Sequence, residues 1–289
     1  MNQRIFIGTI LTLLLGTGVS SASDLRLPAK AVAGEDVTVE TSGNGNATLY
    51  VVGPGTAVKR EIKLGDAVQL KGEELRNAGY YELVIKGGDG TSSKQLYVSP
   101  TAAERVNFLA RPSRVPVRQP KVIAGTAFVF DQYDNLVVTP TPVTFNLSVP
   151  GAPAKVQQAA TKDGVAYLQT GSGSKAGPGQ FIVTVGNNSV RRVVEETAAE
   201  PCDLRFKVHQ EKEGIIAETD PVRDCSGNAV PDGTIVTFIS NEPGKGRSTV
   251  DARIKKGVAR AVLPPVPGAT ISVASGVVLG NEVRWGGGL

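Results

Sequence analysis

The feature that most restricts how this chain can fold is a copy of part of itself. Asp131, Asn135, Val137, Val143, Thr144 and Phe145 recur as Asp224, Asn228, Val230, Val236, Thr237 and Phe238, each pair 93 positions apart. Gly164, Val165 and Ala166 return at the same spacing as Gly257, Val258 and Ala259. Further on, Pro178, Gly179 and Ile182 match Pro267, Gly268 and Ile271, a register that implies a four-residue deletion between the blocks. Self-similarity held over such a distance marks two copies of one structural unit.

Within each copy the rhythm of apolar side chains has a period of two. Val143, Phe145 and Leu147 share one face of a strand, and so do Phe181, Val183 and Val185 with Ile182 and Thr184 opposite. The strand Ala127 to Phe130 runs into a polar segment, Asp131 to Asn135, before the next strand begins. Asp and Asn side chains accept hydrogen bonds from N–H groups a few residues on, so Asp131, Asn135, Asp224 and Asn228 are assigned as structural turn residues. The 34 Gly and 18 Pro punctuate turns, and the abundance of Val and Thr suits pleated, half-buried strands. The predicted class is all-β, with two face-to-face sheets in each module.

Residues 23–99 carry the same alternation without the copied motif. Strands are predicted at 36–41, 47–52, 58–62, 80–86 and 94–98, with hairpin connections at 42–46 and 87–90. Gly79, Tyr81 and Leu83 resemble the corner before a late strand of an immunoglobulin sandwich, with Leu where antibody domains carry a cysteine. Ahead of this module, Arg4, the apolar run Ile5 to Leu15, and small residues at Ser20 and Ala22 read as a secretory signal cleaved before Ser23. No cysteine follows that point directly, and no later apolar run approaches the roughly 20 residues of a membrane span. The expected organisation is a signal peptide at 1–22 and tandem immunoglobulin-like sandwiches at 23–99, 100–198 and 199–289. The expected destination is the periplasm, the cell surface or the medium.

From about residue 104 to 289 the chain resembles bacterial immunoglobulin-like repeats of the invasin and intimin type. The residues that carry the resemblance are Asp224, Gly227, Asn228, Val236, Thr237, Phe238, Gly257, Val258, Ala259 and Gly268. The second module departs at Tyr133 and Asp134, where Ser226 and Gly227 stand in the third, so a different turn geometry is expected there. The resemblance implies a spacer-like architecture and adds adhesion as a role.

Chemistry-bearing residues are sparse. Cys202 and Cys225, in a chain bound for an oxidising compartment, predict a disulfide. The sole histidine, His209, alternates with Arg205 and Lys207 on the solvated side of a strand, which argues against a catalytic or metal role. Asp131 with Asp134, and Asp220 with Asp224, lack the dense oxygen-ligand spacing of a calcium loop and are assigned to turns. Arg111, Arg114, Arg118 and Lys121 alternate with Pro112, Pro116 and Pro120 in a stretch expected to be extended; they suit an anionic polymer, but solvated edge protection is preferred, as for Arg191 and Arg192. Trp285 is assigned to the last strand.

The net charge of +4 and an aromatic content of 5% disfavour a nucleic-acid binder. No catalytic residue, cofactor or metal is assigned. The leading expectation is a non-enzymatic, exported binding or scaffold protein, a semi-rigid rod presenting loops or sheet edges to a protein or cell-surface glycan. The alternatives are a polysaccharide-processing hydrolase whose carboxylates meet only on folding, and a subunit of an envelope or secreted assembly.

Overall fold

A computed structural model describes residues 24–87, 90–212 and 214–286. The signal segment expected at 1–22 and its expected cleavage point lie outside the described residues. Contacts divide the chain between Thr101 and Ala102 into two compact units, each taken in turn.

In the first unit the strands are β1 (Asp24–Arg26), β2 (Ala31–Val32), β3 (Val37–Ser42), β4 (Asn46–Gly53), β5 (Thr56–Lys63), β6 (Ala67–Leu70), β7 (Gly79–Gly87) and β8 (Gly90–Ser99). They form one sheet ordered β1-β3-β6 and another ordered β2-β8-β7-β4-β5. Leu25, Val39, Leu49, Leu83 and Ile85 are fully buried. Strand β3 reads buried, exposed, buried along its length, the pattern of a sheet wetted on one face. Gly87 pairs with Gly90, as a hairpin there requires. The segment 42–46 is different: β3 pairs with β1 and β6 while β4 pairs with β5 and β7, so the chain crosses between sheets instead of forming the predicted hairpin. Gly43 and Gly45 supply the positive φ of 111° and 95° that a tight turn demands. Glycine marks the bend, but it does not choose the partner strand. Tyr81 is fully buried, and its hydroxyl donates to the Asn77 carbonyl at 2.8 Å. That bond is the tyrosine corner of immunoglobulin sandwiches, with Leu83 buried in the core beyond it.

The second unit contains β9 (Arg105–Arg111), β10 (Arg114–Pro116), β11 (Ile123–Phe130), β12 (Pro142–Ser148), β13 (Lys155–Ala160), β14 (Val165–Thr170), β15 (Gly177–Val185) and β16 (Asn188–Thr197). Their sheets are β14-β11-β9 and β10-β16-β15-β12-β13. There follow β17 (Phe206–Glu211), β18 (Gly214–Thr219), β19 (Ile235–Glu242), β20 (Gly246–Arg253), β21 (Arg260–Leu263), β22 (Thr270–Ser275) and β23 (Val278–Arg284), in sheets β17-β18-β21 and β20-β19-β22-β23. Each pair of sheets encloses its own core. Phe108, Phe145 and Phe181 meet in the first, with ring centroids 5.0 to 6.1 Å apart, and Phe206 meets Phe238 at 5.7 Å in the second. A fully buried phenylalanine contributes about 2 to 3 kcal/mol by removal of apolar area from water.

The strand pairing corrects one part of the repeat. Phe145 lies opposite Val183, and Phe238 lies opposite Val273, so Phe181 corresponds to Ile271 and the deletion is three residues, not four. Ile182 lies on the outer, half-buried face, whereas Ile271 is fully buried. A one-residue slip in a strand exchanges its faces, and the Pro-Gly match that set the sequence register pairs two residues inside β15 with two in the turn before β22.

The two sandwiches differ most at their first strands. Between β9 and β11 the chain makes an excursion in which β10 crosses over and pairs in parallel with β16. In the following sandwich β17 turns straight into β18, with Glu211 opposite Gly214. There Asn281 on β23 closes the flank instead: its side chain accepts from the Phe206 N–H at 2.8 Å and donates to the Phe206 carbonyl at 3.1 Å.

Candidate functional site

The copied Asp and Asn residues build one turn twice. Asp131 Oδ1 accepts from the N–H groups of Tyr133 and Asn135 at 2.9 Å each, and Asn135 Nδ2 donates to Asp131 Oδ2 at 3.0 Å. Asp224 Oδ1 accepts from Ser226 N–H at 2.8 Å and Asn228 N–H at 2.9 Å, and Asn228 Nδ2 donates to Asp224 Oδ2 at 2.9 Å. Asp134 takes φ 67° where Gly227 takes φ 80°, so the backbone turn is alike despite the substitution. The difference expected from Tyr133 and Asp134 is absent because Asp, like Asn, reaches the left-handed region at modest cost.

In the third module this turn faces the sandwich before it. Asn228 Nδ2 donates to the Ser174 carbonyl at 2.9 Å, and Ala176 N–H donates to Asn228 Oδ1 at the same distance. Asp224 Oδ2 accepts from Ala199 N–H in the connecting segment at 3.0 Å. Burial would raise the Asp224 carboxyl, yet hydrogen bonds from the Asn228 side chain and from the N–H groups of Ala199, Asn228 and Ser226 hold it below the usual carboxylate range. Cys202 and Cys225 are joined, with Cα atoms 4.9 Å apart. The bridge fastens the connecting segment to this turn, and closing a loop of 23 residues contributes about 3 kcal/mol in the chain-entropy account. Beside it opens a cleft of about 920 Å³, whose walls include Arg118, Pro201, Asp224, Ile235 and Val278.

Glu196 sits at this end of the second module and was missed in the sequence. It is fully buried, Oε2 accepts from Gly173 N–H at 2.7 Å, and Oε1 has no hydrogen-bond partner among the described residues. Burial pushes its carboxyl up, against the Gly173 hydrogen bond and the charge of Lys155. The alternation of Val194 with Glu195 and Glu196 could have flagged it, because Val194 and Glu196 share the inward face.

The remaining singled-out residues lie apart. His209 is exposed on β17, 3.6 Å from Glu211. Asp134 forms an ion pair with Arg105, and Asp220 lies 3.6 Å from Lys207. Among the described residues no group of three or more His, Cys, Asp and Glu is arranged to hold a metal ion. Arg111, Arg114, Arg118, Lys121, Arg191 and Arg192 are all exposed. The extended backbone expected through the Pro-punctuated stretch holds at Arg111 in β9 and along β10 but not beyond, since Arg118 and Lys121 adopt φ of 59° and 50°. Trp285 packs half-buried against the core that contains Phe206 and Phe238, and its N–H donates to the Ala269 carbonyl at 2.8 Å. No helix among the described residues is long and apolar enough to cross a membrane.

No protein-family model matches this sequence, and no curated protein matches it. Solved structures do. FdeC, an Escherichia coli adhesin, is similar at a TM-score of 0.64 and 15% identity over 93% of this chain and 97% of that one. Invasin, a bacterial integrin-binding protein, gives 0.51 at 10% identity over 91% of this chain and 60% of that one. InvD of Yersinia pseudotuberculosis gives 0.51 at 12% identity over 90% and 95%. The chain therefore has the tandem immunoglobulin-like fold that these bacterial adhesin and invasin structures share.

Proposed function

We propose that this chain is a non-enzymatic, exported binding protein of the bacterial envelope or surface, with an adhesive role. Its modules are taken to span 23–99, 100–198 and 199–289, with recognition carried by loops and sheet edges on rigid sandwiches. The observation that supports this most is the likeness over nearly the whole length of both chains to a structure described as an adhesin. A second, described as integrin-binding, directs the search for a partner to protein or glycan on another cell.

The hydrolase alternative finds little support in the chemistry. Glu196, the carboxyl whose proton affinity burial raises, is closed off from solvent and engaged by Gly173. A general acid needs both a raised pKa and access to substrate. The test is adherence of beads coated with the purified chain to cultured cells, alongside incubation with a panel of polysaccharides. Binding well above albumin-coated beads with no release of sugar is expected. Release of reducing ends from any polymer, or beads that adhere no better than albumin controls, would overturn the reading.

A further inference from the structure

The small positive charge of this chain is not spread evenly. The segment 100–198 holds 10 Lys and Arg against 6 Asp and Glu, while 23–99 holds 9 against 10 and 199–289 holds 11 against 11. The whole excess of the exported chain therefore belongs to the second module. Much of it lies along one flank, where β9 runs beside β16. The strands are tied at one end by Asn188 Nδ2 donating to the Glu104 carbonyl, and at the other by Glu195 N–H donating to the Ser113 carbonyl at 2.8 Å.

Arg111 leaves the end of β9, Arg114 stands on β10, and Arg191 and Arg192 stand on successive residues of β16 and so on opposite faces of its edge. Arg118 and Lys121 continue the line beyond β10. All six are exposed, and among the described residues none forms an ion pair. Glu195, opposite Arg114 in the strand register, is an exposed carboxylate among them, and Glu196 beside it is buried. From Arg191 to Thr197 the strand advances about 20 Å at roughly 3.3 Å per residue, so the cations form a line and not a disc.

Edge protection alone does not account for this. In the first unit the residues at the places of Arg191 and Arg192 are Ser93 and Lys94, and Lys94 is neutralised by Asp24 at 2.9 Å. In the third module they are Glu282 and Val283. Both flanks remain guarded against strand pairing without a basic line. We propose that the β9–β10–β16 flank of the second module binds an acidic linear polysaccharide, with Arg111, Arg114, Arg191 and Arg192 contacting its sulfate or carboxylate groups. Guanidinium forks match such groups in a bidentate manner. Leu109 on β9 and Val193 on β16, at 50% and 54% exposure, add apolar surface to the same two strands. No aromatic residue lies in this line, and single-stranded nucleic acid needs aromatic stacking.

This names a ligand class for the adhesive reading and rests on it. The experiment titrates the purified chain with fluorescent heparin and with hyaluronan, which separate sulfate from carboxylate recognition. Neutral dextran, vesicles of anionic lipid and single-stranded DNA are run alongside. The chain carrying R111Q, R114Q, R191Q and R192Q is expected to bind about 30-fold more weakly, as four exposed charge contacts allow. Its dependence on salt should also flatten by roughly three counterions. A control with the same amount of charge removed from the third module, its fold checked by circular dichroism, should stay within about twofold.

 That control chain thus carries K245Q, R247Q, K255Q and K256Q, all at exposed positions. A quadruple Arg→Lys variant at 111, 114, 191 and 192 guards against misfolding of the glutamine chain, and should keep charge attraction while losing preference for sulfate. Equal loss in the control, tighter binding to vesicles or DNA than to either polysaccharide, or unchanged heparin affinity in a folded glutamine variant would each overturn the proposal. Coated beads that still adhere to cells in that last case would leave the adhesive reading standing.

Discussion

In the second module Asp134 holds φ 67° at the turn position where Gly227 of the third holds φ 80°, and around both residues an aspartate gathers the same N–H groups. A few strands away the modules part company. The second closes its flank with a parallel strand, β10, on β16, and the third closes it with the Asn281 side chain on Phe206 and a disulfide on the connecting segment. The turn is kept because its hydrogen bonds lie within five consecutive residues, so any sequence with Asp first and Asn fifth can make it. The flank has no such local solution, and two different devices satisfy it.

The sharpest test of that equivalence is to remove both aspartates. Asp131→Ala and Asp224→Ala should each cost about 2 kcal/mol, because each removes a buried, charged acceptor and strands part-buried backbone N–H groups. Urea unfolding reads the loss. Trp285, packed on the third core, reports Asp224→Ala by fluorescence, and far-ultraviolet circular dichroism reports Asp131→Ala. A cost below about 1 kcal/mol at one site only would show that the two turns are alike in geometry and unlike in energy. For Asp224, whose pKa is depressed in the fold, the contribution is present above the ordinary carboxylate range and is lost as pH falls through the folded value.

A smaller effect separates the turns by their left-handed residue. Nothing lies within 4 Å of a Cβ added at Gly227, so Gly227→Ala should cost only the backbone penalty of about 1 kcal/mol. Asp134→Gly relieves that strain but releases Arg105, and should change stability by less than about 0.5 kcal/mol. Unfolding midpoints of the two variants measure the difference.

Much of this was legible in the sequence, and for a physical reason. Alternation at a period of two fixes which side chains turn inward, so Phe145 and Phe238 could be placed in the core from the sequence, and Tyr81 by its likeness to an immunoglobulin corner. Partner choice was not legible: the glycines at 42–46 announce a bend without saying that β3 and β4 join different sheets. Register was legible only where the motif was dense, which is why Ile182 was matched to Ile271 one residue away from its true counterpart. The contacts of Asn228 with Ser174 and Ala176 join residues more than 50 positions apart, and no local pattern encodes them.

An effect that appears only away from acid concerns Glu196, whose place in the first unit is taken by the fully buried Val98. A core position in one sandwich is thus a buried carboxyl in the other, and the fold must accommodate it. Because burial raises its folded pKa, the fold favours the protonated form. Its contribution is fully present below the unfolded carboxylate pKa and is lost as pH rises through the folded value, the opposite sign to Asp224. Glu196→Gln keeps an oxygen for Gly173 N–H and removes the titration. It should gain about 1 kcal/mol at neutral pH and nothing in acid. Stability of the variant that fell with rising pH as steeply as that of the natural chain would show that Glu196 is not the group responsible. Since Gly173 precedes Ser174, which Asn228 grips from the third module, the same titration should also loosen that contact, readable as a protection factor at Ala176, corrected for the intrinsic rise of exchange with pH, that falls as the pH is raised in the natural chain and not in the variant.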